Sequence, residues 1–186
     1  MNLDSIKSRV PDYAKDLRLN LDSVLSETGA PGLTQKQIAI IALASAIASR
    51  HEPLTEAIAV QASSVLTAHE LDAARSAAAI MAMNNIYYRF THFVEEREYE
   101  TMRASLRMNV IANPGCSKID FELASLAVSA INGCGKCVDS HEKTLKKHEV
   151  SALAIQSAAR IAAVIHAVAV TIEQAAAAAP VVAEAA

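Results

Sequence analysis

Apolar residues recur along this chain at helical intervals, and no stretch alternates with the two-residue period of a half-buried strand. Prolines and glycines fall between the periodic segments rather than inside them. Pro11 opens a helix expected from Asp12 to Leu25, closed before the turn Gly29-Ala-Pro-Gly32. Thr34 is placed to cap a second helix, Gln35 to Ser49, with Gln37 three residues on as a capping box requires. Its run from Ile38 to Ile47 is apolar on nearly every side, which predicts a central helix. Helices over Pro53–Leu66 and His69–Tyr88 follow, then a shorter polar segment from Thr91 to Glu98. Asn113-Pro-Gly115 is the clearest break in mid-chain.

The second half repeats this scheme. A helix is expected from Ser117 or Lys118 to Ile131, stopped by Asn132-Gly133. Another runs from near Cys134 to Lys147, and a last from near Val150 to Gln174. The expected fold is therefore all-α and multihelical, in one domain over 1–186. Its N-terminal half covers about 1–98, its C-terminal half about 115–175, and 176–186 forms a frayed alanine tail. A weak internal duplication is legible: Leu43-Ala-Ser-Ala-Ile47 resembles Leu126-Ala-Val-Ser-Ala-Ile131 with one residue inserted. His69-Glu70 then pairs with His148-Glu149, and Ser76 with Ser157, so that the offset shrinks along the chain. On that alignment Arg50 and Pro53 stand where the second copy has Cys134 and Cys137, and only the second copy is chemically equipped.

Composition narrows the class. At 186 residues the chain can bury a core without disulfide staples. A net charge of -3 leaves no cationic excess to neutralise phosphates, so nucleic acid is not an expected partner. Alanine, at 38 positions, favours helices that approach closely. The charged N-terminal residues do not read as a signal peptide, and the apolar run Ile161–Ile172, interrupted by His166, is too short to span a bilayer. The expectation is a cytoplasmic protein without membrane contact, where structural disulfides are rare. Cys134 and Cys137 are then a redox or metal-binding pair, and Cys116 a free loop thiol.

Two cysteines two residues apart at the first turn of a helix can close a disulfide across that turn. The helix N-terminus and Lys136 both favour a thiolate there. His141, four residues after Cys137 and seven after Cys134, shares their face and can accept a thiol proton. Glu122 in the preceding helix, with Ser125 and Ser129 along its face, can be folded back to orient that His. The same residues admit other chemistry. Cys116, His148 or Glu122 could complete a zinc site in a helical interaction protein, or Glu122 and His141 could serve as acid and base in a decarboxylase or isomerase. Met81 and Met83 read as gap-filling core, and Arg97, Glu98, Arg103 and Arg107 as a solvated face.

The segment Phe121–Glu142, with Glu122, eleven residues, Cys134-Gly-Lys-Cys137, three residues and His141, closely resembles the AhpD family of alkyl hydroperoxide reductases. Pro11–Asp16, Met81–Asn85 and Leu106–Gly115 extend the resemblance over nearly the whole chain. The resemblance implies a duplicated all-helical fold shared with carboxymuconolactone decarboxylase-like proteins, in a homo-oligomer that is often a trimer. It implies antioxidant reduction of peroxides and of the peroxiredoxin AhpC. The electrons come from the lipoyl group of a dihydrolipoamide acyltransferase, with no bound cofactor or metal. Carried onto this sequence, Cys137 becomes the sulfenic acid and the bond to the peroxiredoxin. Cys134 is the proton donor and resolving thiol, and Glu122 and His141 form the proton relay. Some members of the family have a His where this chain has Lys136, and that auxiliary shuttle is not expected here.

Overall fold

The computed structural model describes residues 2–177. Within them all regular structure is helical: α1 (Leu3–Ser8), α2 (Asp16–Val24), α3 (Gln35–Ala48), α4 (Glu52–Ala62), α5 (Ala68–Phe93), α6 (Glu98–Thr101), α7 (Lys118–Ile131), α8 (Gly135–Lys147) and α9 (Ala152–Ala177). The expected capping box forms as read: Thr34 Oγ1 accepts from the Gln37 amide, and Gln37 Oε1 from that of Thr34. One element was not foreseen and two expectations need correction. The charged N-terminus folds into α1, capped by Asn2 and anchored by the buried Ile6. Pro11 leads a 3-10 turn over Asp12–Ala14, and α2 starts only at Asp16. The last helix has 26 residues and is apolar and long enough to cross a membrane, but half of its apolar stretch lies inside the protein. Its stripe Ala158, Ile161, Ile165, Val168 and Ile172 is buried where α9 meets α2, α3 and α7. The tail from residue 178 lies outside the described residues.

The duplication is carried by whole helices. α3, α4 and α5 correspond to α7, α8 and α9, with starts at Gln35 and Lys118, Glu52 and Gly135, Ala68 and Ala152. The offset therefore stays at 83 or 84 residues and does not shrink; His148, the C-cap of α8, is no counterpart of His69 in α5. The loops agree residue by residue. Gly32 and Gly115 both have φ of 85°, and Arg50 and Gly133 have 58° and 68°. A Cβ on Gly32 would come within 3.1 Å of Ala154, and one on Gly115 within 3.2 Å of the His69 carbonyl oxygen. Each loop thus abuts the start of the other copy's long helix. α3 and α7 cross at the centre, where the equivalent Gln37 and Asp120 meet each other: Nε2 of one donates to Oδ1 of the other at 3.0 Å.

At this offset the first-copy partner of Cys134 is His51, and that of Cys137 is Leu54, one residue on from the sequence alignment. His51 and Cys134 each cap the short helix of their repeat. Buried His51 accepts the Leu54 amide through Nδ1 at 3.2 Å. Burial, with a contribution from Arg9, holds the imidazole below its ordinary value of 6.5. The fold therefore prefers neutral His51, and this stabilisation is present above about pH 6.5 and is lost as the pH falls below it. Thermal melts at pH 7.5 and 5.5 should show a lower midpoint in acid. His51→Asn, which keeps a capping oxygen, should shrink that difference; an unchanged difference would rule out this source.

Candidate active site

The chain turns sharply between α7 and α8. The Cys134 amide donates to the Ser129 carbonyl at 3.0 Å and the Gly133 amide to that of Ala130 at 3.1 Å. With Gly133 at positive φ, this is the paired bonding of a Schellman stop. Because the stop is so short, Cys134 ends one helix and begins the next, and Cys137 falls in the first turn of α8. Side chains from α5 pin the turn. Asn132 Nδ2 donates to Asn85 Oδ1 and Asn85 Nδ2 to Ser129 Oγ, both at 2.9 Å, while Arg89 donates to the Asn132 carbonyl at 2.6 Å.

The two sulfurs lie 2.6 Å apart as free thiols. Cys134 is fully enclosed, whereas Cys137 opens onto a cavity of about 420 Å³. Apolar Met81, Tyr88, Met108 and Ile111 line part of it; Glu122, Lys136, Ser140, His141 and Thr144 supply the polar side. Glu122 is buried, and its Oε2 lies 2.7 Å from His141 Nδ1. A buried carboxylate needs such a partner. With Nδ1–H given to Glu122, the Nε2 lone pair of a neutral imidazole is free for the cavity. There Nε2 lies 3.2 Å from Met81 Sδ, and no hydrogen bond joins it to either thiol.

One expectation about the thiols is reversed. Lys136 and the Asn85 amide do draw the Cys137 pKa down, but burial and the adjoining Cys134 thiol outweigh them and push it up to about 12. The resting state is a neutral thiol, and attack by sulfur needs a base. Lys136 stands 3.9 Å from Glu100, which also pairs with Arg97 at 3.0 Å, so part of the expected solvated face reaches the cavity rim.

The other candidates are set apart. Cys116 precedes α7, whose 14 residues separate it from the pair by about 21 Å. It is half-buried, and burial with Asp120 and Glu70 nearby raises its pKa to about 11. His148 ends α8 on the far side from the cysteines. A zinc set built with either residue is thus not assembled, and among the described residues no three His, Cys, Asp or Glu side chains converge as metal ligands would. Met81 is indeed core, but it also touches His141, which its apolar neighbours in sequence conceal. Asn84, Met108 and Ile111 were not among the sequence candidates. Only the polar pair Asn84-Asn85 inside an otherwise apolar helix face could have signalled α5 as a wall of the site.

In the first repeat the counterparts of Glu122, Cys137 and His141 are Ala39, Leu54 and Ile58, all buried. The matching cavity, beside Ala39, Ile58 and Gln61, measures only about 70 Å³. The molecule is thus a duplicated helical protein with a dithiol centre in one copy, and residues 97–180 match the carboxymuconolactone decarboxylase family. Similar along nearly its full length is alkyl hydroperoxide reductase AhpD of Bradyrhizobium sp., 52% identical over 184 residues, covering 99% of this chain and 100% of that protein. The AhpD proteins of Gluconacetobacter diazotrophicus, 54% identical over 95% of this chain and 96% of that one, and of Streptomyces griseus, 53% identical over 93% and 96%, agree. The chain belongs to the AhpD family.

Proposed function

We propose that the chain is an antioxidant alkyl hydroperoxide reductase working through a Cys134/Cys137 dithiol–disulfide cycle. The observation that carries this reading is one cavity holding an accessible thiol, a second thiol enclosed behind it, and a Glu122–His141 pair. A Cys137 thiolate attacks the terminal oxygen of the hydroperoxide. The S–O bond forms, the O–O bond breaks, and the alkoxide leaves with a proton. The Cys134 thiol then displaces water from the Cys137 sulfenic acid and closes the disulfide. Two electrons and two protons from a dihydrolipoyl group restore both thiols by exchange. Since His141 Nε2 does not touch a thiol, the proton crosses the cavity through a water, for which the space is ample.

The donor in this reading is the lipoyl group of a dihydrolipoamide acyltransferase, and no cofactor or metal resides in the protein. The oxidant can also be the peroxiredoxin AhpC, bonded through Cys137, in a cytoplasmic setting. The apolar wall of the cavity suits both an alkyl chain and the lipoyl arm. A homo-oligomer, by family resemblance a trimer, would cover the exposed stripe Ile86, Phe90 and Phe93 on α5, with Tyr99 packed on Phe90.

Mass spectrometry after brief peroxide treatment tests the cycle. The peptide holding both cysteines should lose two hydrogens and regain them with dihydrolipoamide; no loss sinks the reading. A decarboxylase or isomerase using Glu122 and His141 would instead keep its activity after both thiols are alkylated.

A further inference from the structure

The cavity beside Cys137 combines an apolar wall with a cation whose own partner is distant. Lys136 lines it together with Met81, Tyr88, Met108 and Ile111. Its ion-pair partner Glu100 stands 3.9 Å from the ammonium, beyond hydrogen-bonding reach. The same Glu100 oxygen is held closer by Arg97, at 3.0 Å, so Glu100 keeps a partner if Lys136 turns to another anion. Glu122, the one acid lining the cavity, is bonded to His141. The chain beside the cavity is one-sided in charge. Between Glu100 and Asp120 it carries Arg103, Arg107 and Lys118 and no carboxylate. Arg103 and Arg107 border a hollow that shares Met108 with the cavity. In a chain of net charge -3 this is a local concentration of cations, not an overall excess.

Resting on the hydroperoxide reductase reading, we infer that Lys136 is a carboxylate subsite, and that the preferred oxidants are hydroperoxy carboxylic acids with the anion several bonds from the O–O group. Such a molecule matches the cavity part by part. Its O–O group meets the Cys137 sulfur, its hydrocarbon lies on the apolar wall, and its carboxylate reaches the ammonium. Arg103 and Arg107 draw the anion in from solvent. The electron donor does not account for the cation, because a lipoyl arm is joined to its carrier through a neutral amide. The subsite takes no part in making or breaking bonds: sulfur, oxygen and protons follow the same course as with a neutral hydroperoxide. Lys136 therefore decides which hydroperoxide is held, not how it is cleaved.

Cumene hydroperoxide and its para-carboxylate share one reacting group and differ by one charge, so together they test the subsite. Wild-type kcat/KM should favour the carboxylate roughly 5- to 10-fold, mainly through KM. With its side chain 38% exposed, Lys136 can be replaced without opening the core. Because its charge also lowers the Cys137 pKa, Lys136→Met should slow both substrates. The ratio between them is therefore the readout: it should fall to about one, and Lys136→Arg should restore it. A wild-type ratio near one, or a ratio that Lys136→Met leaves unchanged, overturns the inference while the peroxidase reading stands. A wild-type protein whose Cys137 alkylates with iodoacetamide but which reduces neither hydroperoxide overturns that reading and this inference with it.

Discussion

Serine in place of Cys137 should leave hydroperoxide turnover at background, a fall of about 10³-fold or more, since Cys137 is the one thiol among the residues that line the cavity. Serine in place of Cys134 should behave differently. One equivalent of peroxide is consumed, and the reaction halts at a sulfenic acid on Cys137 that a dimedone probe labels. The asymmetry follows from position: Cys137 faces the cavity, and Cys134 is enclosed behind it with its sulfur 2.6 Å away. Stopped-flow peroxide consumption and mass mapping of the labelled peptide check both outcomes. Label on residue 134 in the Cys137→Ser protein, with turnover retained, would reverse the two roles.

The second large effect concerns the base. Burial and the adjoining Cys134 thiol push the Cys137 pKa up, so at pH 7 the thiol is neutral without help. His141→Gln and Glu122→Gln should therefore each lower kcat/KM about 10²- to 10³-fold at neutral pH. The pH profile identifies the cause. In the His141 variant the logarithm of the rate should climb with unit slope from pH 7 to 9, because hydroxide now does what the imidazole did. A flat profile would place His141 outside the deprotonation step. Stability carries the matching sign. The folded protein prefers the neutral Cys137 thiol, so this preference stabilises fully below about pH 9 and is lost as the pH rises from there toward 12. Cys137→Ala should flatten that alkaline decline in denaturant titrations.

Much of this is legible in the chain itself. Capping chemistry is local, so the Thr34–Gln37 box and the Gly133 stop could be read directly. Regular spacing also brought Glu122 and His141 together on paper, because a tight stop between two helices leaves few ways to fold one face onto the other. What the chain concealed depends on tertiary cover. α1 is too short and too charged to announce itself, and it exists because Ile6 finds the core. Met81 and Asn84 come from α5, and Met108 and Ile111 from the stretch before α7; their segments carry the family resemblance, but no local spacing places them beside the cysteines. The sign of the thiol shift was hidden for the same reason. Lys136 and the helix start argue for a thiolate, and only the enclosing residues reverse the balance.

The Gln37–Asp120 bond marks the midpoint of a molecule whose halves have parted ways. Where the second repeat sets a carboxylate, a thiol and an imidazole, the first sets Ala39, Leu54 and Ile58. One half is ballast for the other. The carboxylate, thiols and imidazole of the centre all come from the second repeat, while its twin sets apolar side chains at three of those four positions and shares the central helices. Rebuilding the dithiol centre in the first repeat, through Ala39→Glu, His51→Cys, Leu54→Cys and Ile58→His together, would therefore do more than add a second reactor. It would strip the frame of the inert partner that lets the first one stay open.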